Sequence, residues 1–374
     1  MENFITDLKI DNFKSIKHIE MKPKRINVFV GKPNVGKSNI LEAISLLGAG
    51  YDFASPHVQP PLAKKFMEDF IRYENFYNLF FDNDKQNTIS ISSGLVNAKI
   101  FYQNNVNCYY FLLEDNNYGS LEDVIDLRNK NAHQIGNDFI ERINDWPGDK
   151  GKFTPLLRFI LSSGYIGDIY PDILSPIQYP VKRYEFNKNT KTTDRFHLFL
   201  KPPYGENLLT ILATHSDVRK EVIKLFGEYN LKLRINEYDN TFGLTRDKGD
   251  GFFNDFSYSL QAETLQRYIF HLAAIESNKD SVLLFEEPEA HNFPPYTVQL
   301  ADKIINSSEN QFFITTHSPY MLTELLEESD KEEIALFIVK YENNQTVLKK
   351  VSGDEISEIL NYGADIFINH KAFE

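Results

Sequence analysis

The sequence feature that most constrains this chain is the loop at residues 31–38 (GKPNVGKS), which matches the pattern G-x-x-x-x-G-K-S. A short apolar run at residues 26–30 precedes the loop as a buried strand would, and helical periodicity follows it from near Ser38. Glycines at these positions let backbone N–H groups curl around phosphate oxygens at the N-terminus of a helix. The segment therefore predicts a nucleoside-triphosphate site in an α/β fold.

Two side chains of this loop carry the expected chemistry. Lys37 would reach the β- and γ-phosphates, and the hydroxyl of Ser38 would ligate Mg²⁺. The alternative is a glycine turn that only opens a helix, and the preceding strand disfavours it. ATP and Mg²⁺ are the expected cofactors.

A second apolar run, at residues 282–285, ends in consecutive carboxylates. A strand end beside the phosphate loop would place Glu286 where Mg²⁺ or its water shell needs an anionic oxygen. Glu287 would then polarise the attacking water. The alternative is a solvated acidic loop. Because the first carboxylate of such a motif is usually aspartate, the longer Glu286 leaves an inner-sphere or an outer-sphere role open.

Polar residues also follow a third predicted strand, at residues 311–315. A neutral imidazole of His317 there could hydrogen-bond the γ-phosphate. The structural alternative is a helix cap, with Ser318 as N-cap and Pro319 as the first helical residue. The two interpretations are compatible.

A helix is predicted over residues 260–277, and polar residues cluster at its start. Ser259 could grip a γ-phosphate there through helix N-terminal amides and the helix dipole. The alternative is an ordinary capped helix whose apolar face is turned to the core by Leu260, Leu265, Ile269 and Leu272.

Composition narrows the class of protein further. The chain has 374 residues, of which 42% are hydrophobic, so it is long enough for roughly two to three domains. Its formal net charge of −13 argues against a general nucleic-acid coat, although a local basic groove stays open. Basic residues cluster at 22–25, 64–65 and 182–195, either as solvated loops or as a DNA groove. The single cysteine, Cys108, excludes a disulfide framework and a cysteine-built zinc site.

No window of the sequence approaches the roughly 20 apolar residues of a membrane span. The N-terminal residues lack the basic start and apolar core of a signal peptide. We therefore expect a cytoplasmic protein that makes no contact with membranes.

The order of these motifs resembles that of ABC-type ATPases of the RecF/SMC class. More closely, residues 286–291 (EEPEAH) together with residues 316–319 (THSP) resemble the OLD family, also called AAA15 ATPases. Residues 11–16 (DNFKSI) and 39–43 (NILEA) belong to the same pattern.

The resemblance covers roughly residues 1–95 and 250–340, and it implies a fold. That fold is an α/β ABC-type P-loop ATPase head, a mixed sheet flanked by helices. The ATPase domain would be split between residues 1–97 and 247–374, with an inserted α+β region at 98–246 between the phosphate loop and the acidic strand end.

The resemblance also implies roles for individual residues. Ser38 and Glu286 would serve Mg²⁺, Glu287 would be the general base and His317 the switch residue. Lys14 falls where such heads place a basic residue near the nucleotide. The phosphates would be held by Gly31, Asn34, Gly36, Lys37, Ser38 and Asn39.

Two departures from the family pattern matter. The usual signature glycine is absent, with Gln261-Ala-Glu263 in its place, and Ser259 is our candidate for the residue that acts in trans on the nucleotide of a second subunit. A Q-loop glutamine is also hard to place, and Gln59 and Gln86 are the candidates.

The resemblance leaves several cellular roles open. An ABC transporter subunit is disfavoured by the long interval between motifs, and an SMC-type organiser by an interval too short and too rich in proline for a long coiled coil. Many OLD-like enzymes carry a TOPRIM nuclease, which we do not expect in this chain.

We therefore expect a homodimer or higher homo-oligomer that senses or scaffolds in an anti-phage (abortive-infection) system, acting with a separate nuclease or toxin. The main alternative is a RecF-like DNA-repair ATPase that binds DNA and loads partners. A third is a degenerate head that binds ATP as a clamp and turns it over very slowly.

Overall fold

Two six-stranded sheets and one three-stranded sheet make up the β-structure of the described part of the chain. The computed structural model describes residues 3–48, 68, 70–103, 108–115, 157–160, 180–196, 198–236, 241–249 and 251–361.

The strands, in chain order, are β1 (Leu8–Phe13), β2 (Ile16–Met21), β3 (Ile26–Val30), β4 (Ile89–Ser93), β5 (Val96–Gln103), β6 (Cys108–Asp115), β7 (Leu157–Ile160), β8 (Val181–Tyr184), β9 (Lys232–Asn236), β10 (Thr241–Asp247), β11 (Phe253–Ser257), β12 (Ser281–Glu286), β13 (Asn310–Thr315), β14 (Ile334–Glu342) and β15 (Gln345–Lys350). The α-helices are α1 (Lys37–Ser45), α2 (Leu208–Thr214), α3 (Ser216–Gly227), α4 (Glu263–Ser277), α5 (Pro294–Asn306), α6 (Pro319–Glu328) and α7 (Gly353–Asn361).

The central sheet has the strand order β15-β14-β3-β13-β12-β8, and only β15 is antiparallel to its neighbour. All five residues of β3 are buried, as are the first five of β12, because parallel strands are covered on both faces. The ring of Phe29 on β3 stacks on Phe313 of β13 and Phe337 of β14. The carboxyl ends of β3, β12 and β13 meet at one edge, where open α/β sheets bind ligands.

Apolar layers cover both faces of this sheet. On one face α1 lies between the central sheet and an antiparallel sheet of order β2-β1-β4-β5-β6-β7, and Ile40 and Ile44 are fully buried there. On the other face α4, α5 and α6 pack through Leu272, Leu300 and Leu325. A small antiparallel sheet, β11-β10-β9, contacts α3.

Most predicted elements are confirmed. The strand before the phosphate loop, the helix after it, the strand that ends in carboxylates (β12) and the strand predicted at residues 311–315 (β13) are all present. β8 lies within the interval 98–246 and pairs with β12, so this interval also supplies a strand to the central sheet. The division into domains itself stays a prediction.

The predicted start of the helix over residues 260–277 is wrong. Tyr258–Leu260 form a 3₁₀ turn, and α4 begins only at Glu263. Ala262 has an extended backbone, with φ −54° and ψ 132°, and the side chain of Gln266 donates to the carbonyl of Gln261 at 2.8 Å. Leu260, expected to face the core, is 80% exposed.

None of the helices in the described part of the chain combines the length and the apolar character that a membrane span requires.

Candidate active site

The phosphate loop (residues 31–38) joins the end of β3 to the start of α1. Asn34 and Gly36 have φ angles of 63° and 98°, in the left-handed region that tight loops require. Lys37 is 6% exposed, and its Nζ donates to the carbonyl oxygens of Gly31 at 2.9 Å and Lys32 at 2.8 Å. The ammonium group therefore lies against the backbone of its own loop, as a phosphate-binding lysine would.

Electrostatics at Lys37 suit an anionic ligand. Burial lowers the pKa of Lys37, and the carboxylates of Glu287 and Glu286 oppose that shift. Its described hydrogen bonds go to neutral carbonyl groups, so its positive charge is available to phosphate oxygens.

Glu286, the last residue of β12, lies within hydrogen-bond distance of three side chains. It accepts hydrogen bonds from Ser38 Oγ, from Arg183 Nη2 at 2.7 Å and from Arg72 Nη2 at 3.2 Å. Burial opposes its ionisation, but Arg183, Ser38 and Arg72 together hold the pKa of this carboxyl below its usual value. Ser38 and Glu286, the two residues predicted to serve Mg²⁺, are thus in contact, and two arginines join them; their role toward Mg²⁺ stays a prediction.

Arg183 and Arg72 are the site residues that the sequence analysis missed. Arg183 lies on β8, is 2% exposed and also donates to the carbonyl of Phe70. The prediction that the basic cluster at 182–195 forms a solvated loop or a DNA groove is wrong for Lys182 and Arg183, because both are buried in a strand. The apolar residues Val181 and Tyr184, which flank the two basic residues, were the sequence signal that could have indicated a buried strand.

Lys14 lies in a second ion-pair group that adjoins Glu286 through Arg72. Its ammonium group contacts the fully buried carboxylate of Glu42 on α1 and donates to the carbonyl of Arg72 at 2.6 Å. Arg72 Nε also donates to Glu42 at 2.6 Å. Burial lowers the pKa of Lys14, and Glu42 opposes that shift. The structure therefore places Lys14 near the site as an ion-paired residue, and its contact with nucleotide stays a prediction.

Glu287 and His317 face each other across the ends of β12 and β13. His317 Nε2 lies 3.4 Å from Glu287 Oε1. Burial and Lys37 lower the pKa of His317, and Glu287 opposes them; the lowered pKa favours the neutral imidazole. Glu287 has a φ of 44°, and its N–H donates to the carbonyl of Thr315 at 3.0 Å. Such strained backbone is typical of functional sites.

The carboxylate of Glu289 joins the loop after β12 to the loop after β13. Its Oε1 accepts from Thr316 Oγ1 at 2.7 Å and from the backbone N–H of His317 at 2.8 Å. Ser318 caps α6 by accepting from the N–H of Met321 at 3.3 Å, which confirms the predicted cap. The helix cap at Ser318 is thus compatible with the position of His317 beside Glu287.

Ser259 belongs to a different surface. It lies in the signature-like segment (residues 257–263), where its Oγ is 2.8 Å from Ser257 Oγ and its carbonyl accepts from Gln266 Nε2 at 3.4 Å. Because α4 starts at Glu263, the predicted helix N-terminus at Ser259 is wrong. Glu263 occupies the first turn and pairs with Arg267 at 2.9 Å. A role for Ser259 toward nucleotide stays a prediction.

The remaining predicted positions are placed as follows. Asn39 Nδ2 donates to Ser15 Oγ at 2.7 Å. Gln86 is exposed in the turn before β4, where its N–H donates to Asp84. Gln59 and the basic pair at 64–65 lie outside the described residues.

The donor set fits Mg²⁺ bound together with a nucleotide. Mg²⁺ prefers oxygen ligands and is usually held by one or two carboxylates plus substrate phosphates. Ser38 and Glu286 supply a hydroxyl and a carboxylate within contact of each other. Among the described residues, no cluster of three or more His, Cys, Asp or Glu side chains could bind a metal unaided.

Comparison with solved structures identifies the architecture. The chain is similar to an SMC head bound to the C-terminal winged-helix domain of ScpA, with a TM-score of 0.50 and 15% identity over 95% of this chain and 100% of that one. The fold is that of an ABC-type ATPase head. A Pyrococcus furiosus Smc head with an extended coiled coil covers 96% of this chain and 99% of its own, at a TM-score of 0.46 and 13% identity.

One curated protein shares local sequence with this ATPase head. The DNA replication and repair protein RecF of Nitrosococcus oceani is 50% identical over 50 residues, which are 13% of this chain and 14% of RecF. No family model matches the chain. The predicted fold class, an ABC-type head with a mixed sheet flanked by helices, is confirmed by the likeness to the SMC head.

Proposed function

We propose that this chain is a Mg²⁺-dependent ATPase that binds ATP at the phosphate loop and hydrolyses it slowly. The observation that supports this most is convergence at one sheet edge. Lys37 and Ser38 lie at the start of α1, after the loop that follows β3, and Glu286, Glu287 and His317 lie at the ends of β12 and β13. The contacts Ser38–Glu286 and Glu287–His317 bring these groups together, in the roles that phosphoryl transfer to water needs.

Each side chain would make a separate contribution. The amides of residues 31–38 and the ammonium group of Lys37 hold the phosphate oxygens, and Glu287 accepts a proton from the attacking water. His317 hydrogen-bonds the terminal phosphate and contacts Glu287. Bound Mg²⁺ supplies Lewis-acid stabilisation of charge on the phosphate oxygens.

Glu286 serves Mg²⁺ in an arginine-paired form. Because Arg183 and Arg72 already neutralise part of its charge, it is a weaker direct ligand than a free carboxylate. We therefore assign it to the water shell of Mg²⁺, and Ser38 to direct ligation.

A direct test uses the purified protein with ATP. Phosphate release should require Mg²⁺, stop on addition of EDTA and resume when Mg²⁺ is returned. Tight ATP binding without phosphate release would support the degenerate clamp instead. Absence of both binding and hydrolysis would contradict the proposal.

For the cellular role we propose the OLD-like (AAA15) assignment, with the chain as sensor or scaffold of an anti-phage system and a separate nuclease or toxin as effector. The motif at residues 286–291 with residues 316–319 supports it. The full-length protein, captured from its native host, should bring down one effector at a fixed ratio. Capture of DNA-repair proteins in its place would contradict this role.

A RecF-like role in DNA repair is the second candidate, and the 50-residue match to RecF favours it. DNA binding that weakens steeply with salt would support it. The basic cluster at 22–25 offers little help, because Arg25 is buried and pairs with Glu333 at 2.8 Å while donating to carbonyls at the end of α5. Binding that is absent at low salt would exclude this role.

A further inference from the structure

The phosphate loop rests on the hairpin β14–β15, more than 300 residues away along the chain. A Cβ atom added to Gly31 would lie 2.3 Å from the carbonyl oxygen of Val339 on β14. One added to Gly36 would lie 2.1 Å from Thr346 Oγ1 on β15 and 2.8 Å from Ser15 Oγ. Both loop glycines are therefore required by contact with neighbouring elements, in addition to any need to approach phosphates.

A chain of hydrogen bonds joins this hairpin to the loop. Thr346 Oγ1 donates to the carbonyl of Val35 at 2.9 Å and lies 2.7 Å from Ser15 Oγ. Asn39 Nδ2, in the first turn of α1, donates to the same Ser15 Oγ at 2.7 Å. The backbone N–H of Thr346 donates to the carbonyl of Ser15 at 2.7 Å.

The donor and the acceptor of each hydrogen bond in this network follow from the groups involved. The carbonyl of Val35 can only accept, so the single hydroxyl proton of Thr346 is used there. Ser15 must then donate its own proton to Thr346 Oγ1, and the amide of Asn39 donates to Ser15. Each hydroxyl has one proton and one donor, and Thr346 is fully buried. A network satisfied in this way specifies one loop conformation.

We propose that Thr346 is a positioning residue for the nucleotide site: its hydroxyl holds the Val35 carbonyl and so fixes the phosphate loop in its binding conformation. This inference deepens the proposed ATPase function and rests on it. Loss of the hydroxyl would leave the buried Val35 carbonyl and the partly buried Ser15 hydroxyl without this partner. The loop amides would then be less well ordered before ATP binds.

The test compares Thr346→Val, which keeps the shape and removes the hydroxyl, with Thr346→Ser, which keeps the hydroxyl and removes the methyl group. Thr297→Val, at a buried threonine on α5, is the matched control. Affinity for Mg²⁺ and ATP is measured by calorimetry, and KM and kcat are measured by phosphate release.

We expect Thr346→Val to raise Kd and KM roughly 5- to 10-fold, about the value of one buried hydrogen bond. Its kcat should stay within about 2-fold of wild type, because a change that removes only uniform binding of ATP raises KM and leaves kcat unchanged. Thr346→Ser should restore both constants to near wild-type values, and Thr297→Val should leave them unchanged.

Three outcomes would overturn the inference while the ATPase proposal stands: wild-type affinity in Thr346→Val, equal weakening in Thr346→Ser, or equal weakening in Thr297→Val. Wild-type protein that binds no ATP would overturn both the inference and the proposed function.

Discussion

The phosphate-loop edge (Lys37, Ser38, Glu286, Glu287 and His317) and the signature-like segment (residues 257–263) both carry polar side chains near the ends of strands. They differ in how far these side chains are buried and hydrogen-bonded within the chain. At the edge, Lys37 is 6% exposed and Glu286 is bonded to three side chains. In the signature-like segment, Ser259 is exposed and Leu260 is 80% exposed. The side chains of the phosphate-loop edge therefore have partners within this chain, whereas the signature-like segment exposes polar and apolar groups to solvent.

The contrast supports a division of labour in the proposed ATPase. The edge that carries Lys37, Glu286, Glu287 and His317 would bind ATP and activate water, and the signature-like segment would contact the nucleotide of a second copy. α4 connects the two surfaces, since it starts at Glu263 and its His271 packs edge-on against Phe285, the residue before Glu286. A two-fold assembly would then link nucleotide and dimer thermodynamically.

The largest expected effect is at the phosphate-loop edge. Lys37→Ala should abolish measurable ATP binding, because the phosphates lose their buried cationic partner. Lys32→Ala, at an exposed position of the same loop, is the control and should bind ATP. Calorimetry decides the matter: unchanged affinity in Lys37→Ala would break the assignment of this edge as the nucleotide site.

The next largest effect is at the signature-like segment. Ser259→Arg should lower hydrolysis by roughly 5- to 150-fold, the usual range of coupling between linked sites, because it blocks contact with a second copy. ATP binding to the monomer should stay near wild type. Light scattering with ATP and Mg²⁺ should show loss of the nucleotide-linked mass increase. Full activity in this variant would show that the segment does not act in trans.

A third prediction compares two arginines that share one carboxylate. Arg183→Met should lower the free energy of unfolding at pH 7 by about 3 kcal/mol, because it leaves Glu286 without its buried partner. Arg72→Met should cost about 0–1 kcal/mol, since the Arg72 side chain is 63% exposed. Urea denaturation measures both values. Equal costs would contradict the view that β8 holds the acidic strand end.

The loss of stability in Arg183→Met should depend on pH, because it depends on the ionisation of Glu286. Arg183 helps to hold the pKa of Glu286 below the unfolded value of about 4.3, so the pair stabilises the fold above that pH. As pH falls through the folded pKa, Glu286 is protonated and the deficit of Arg183→Met should shrink. A deficit that stays constant to low pH would contradict the ion pair as its cause.

The smallest effect concerns the helix that connects the two surfaces. Burial lowers the pKa of His271 to about 4, whereas an unfolded histidine has a pKa near 6.5. Between these values the unfolded chain binds a proton that the folded chain refuses, so stability falls as pH drops from 6.5 to 4. Between pH 7 and pH 5 the free energy of unfolding of the wild type should fall by about 1–2 kcal/mol more than that of His271→Leu. Parallel pH profiles would contradict this.

Local motifs explain what the sequence could predict. Lys37, Glu287 and His317 each follow a short apolar strand, and the carboxyl ends of parallel strands meet at one edge, so their proximity follows from pattern alone. The predicted helix cap at Ser318 is confirmed for the same reason, because a cap depends on neighbouring residues.

Contacts between distant segments explain what the sequence could not predict. Arg183 reaches Glu286 only because β8 pairs beside β12, and Thr346 reaches the phosphate loop only because β14 pairs with β3. The late start of α4 has a different cause: the Gln266 side chain bonds to the carbonyl of Gln261 and replaces a helical hydrogen bond.

The most direct test of the central claim is the hydrolysis rate of Glu287→Gln, measured together with its ATP affinity. The amide keeps the shape of the side chain and removes the base, so kcat should fall by about 10²–10⁴-fold while Kd for ATP with Mg²⁺ stays within about 2-fold of wild type. Hydrolysis at the wild-type rate in Glu287→Gln, with Glu286→Gln inactive, would show that the roles of the two carboxylates are reversed. Wild-type rates in both variants would contradict ATP hydrolysis at this site.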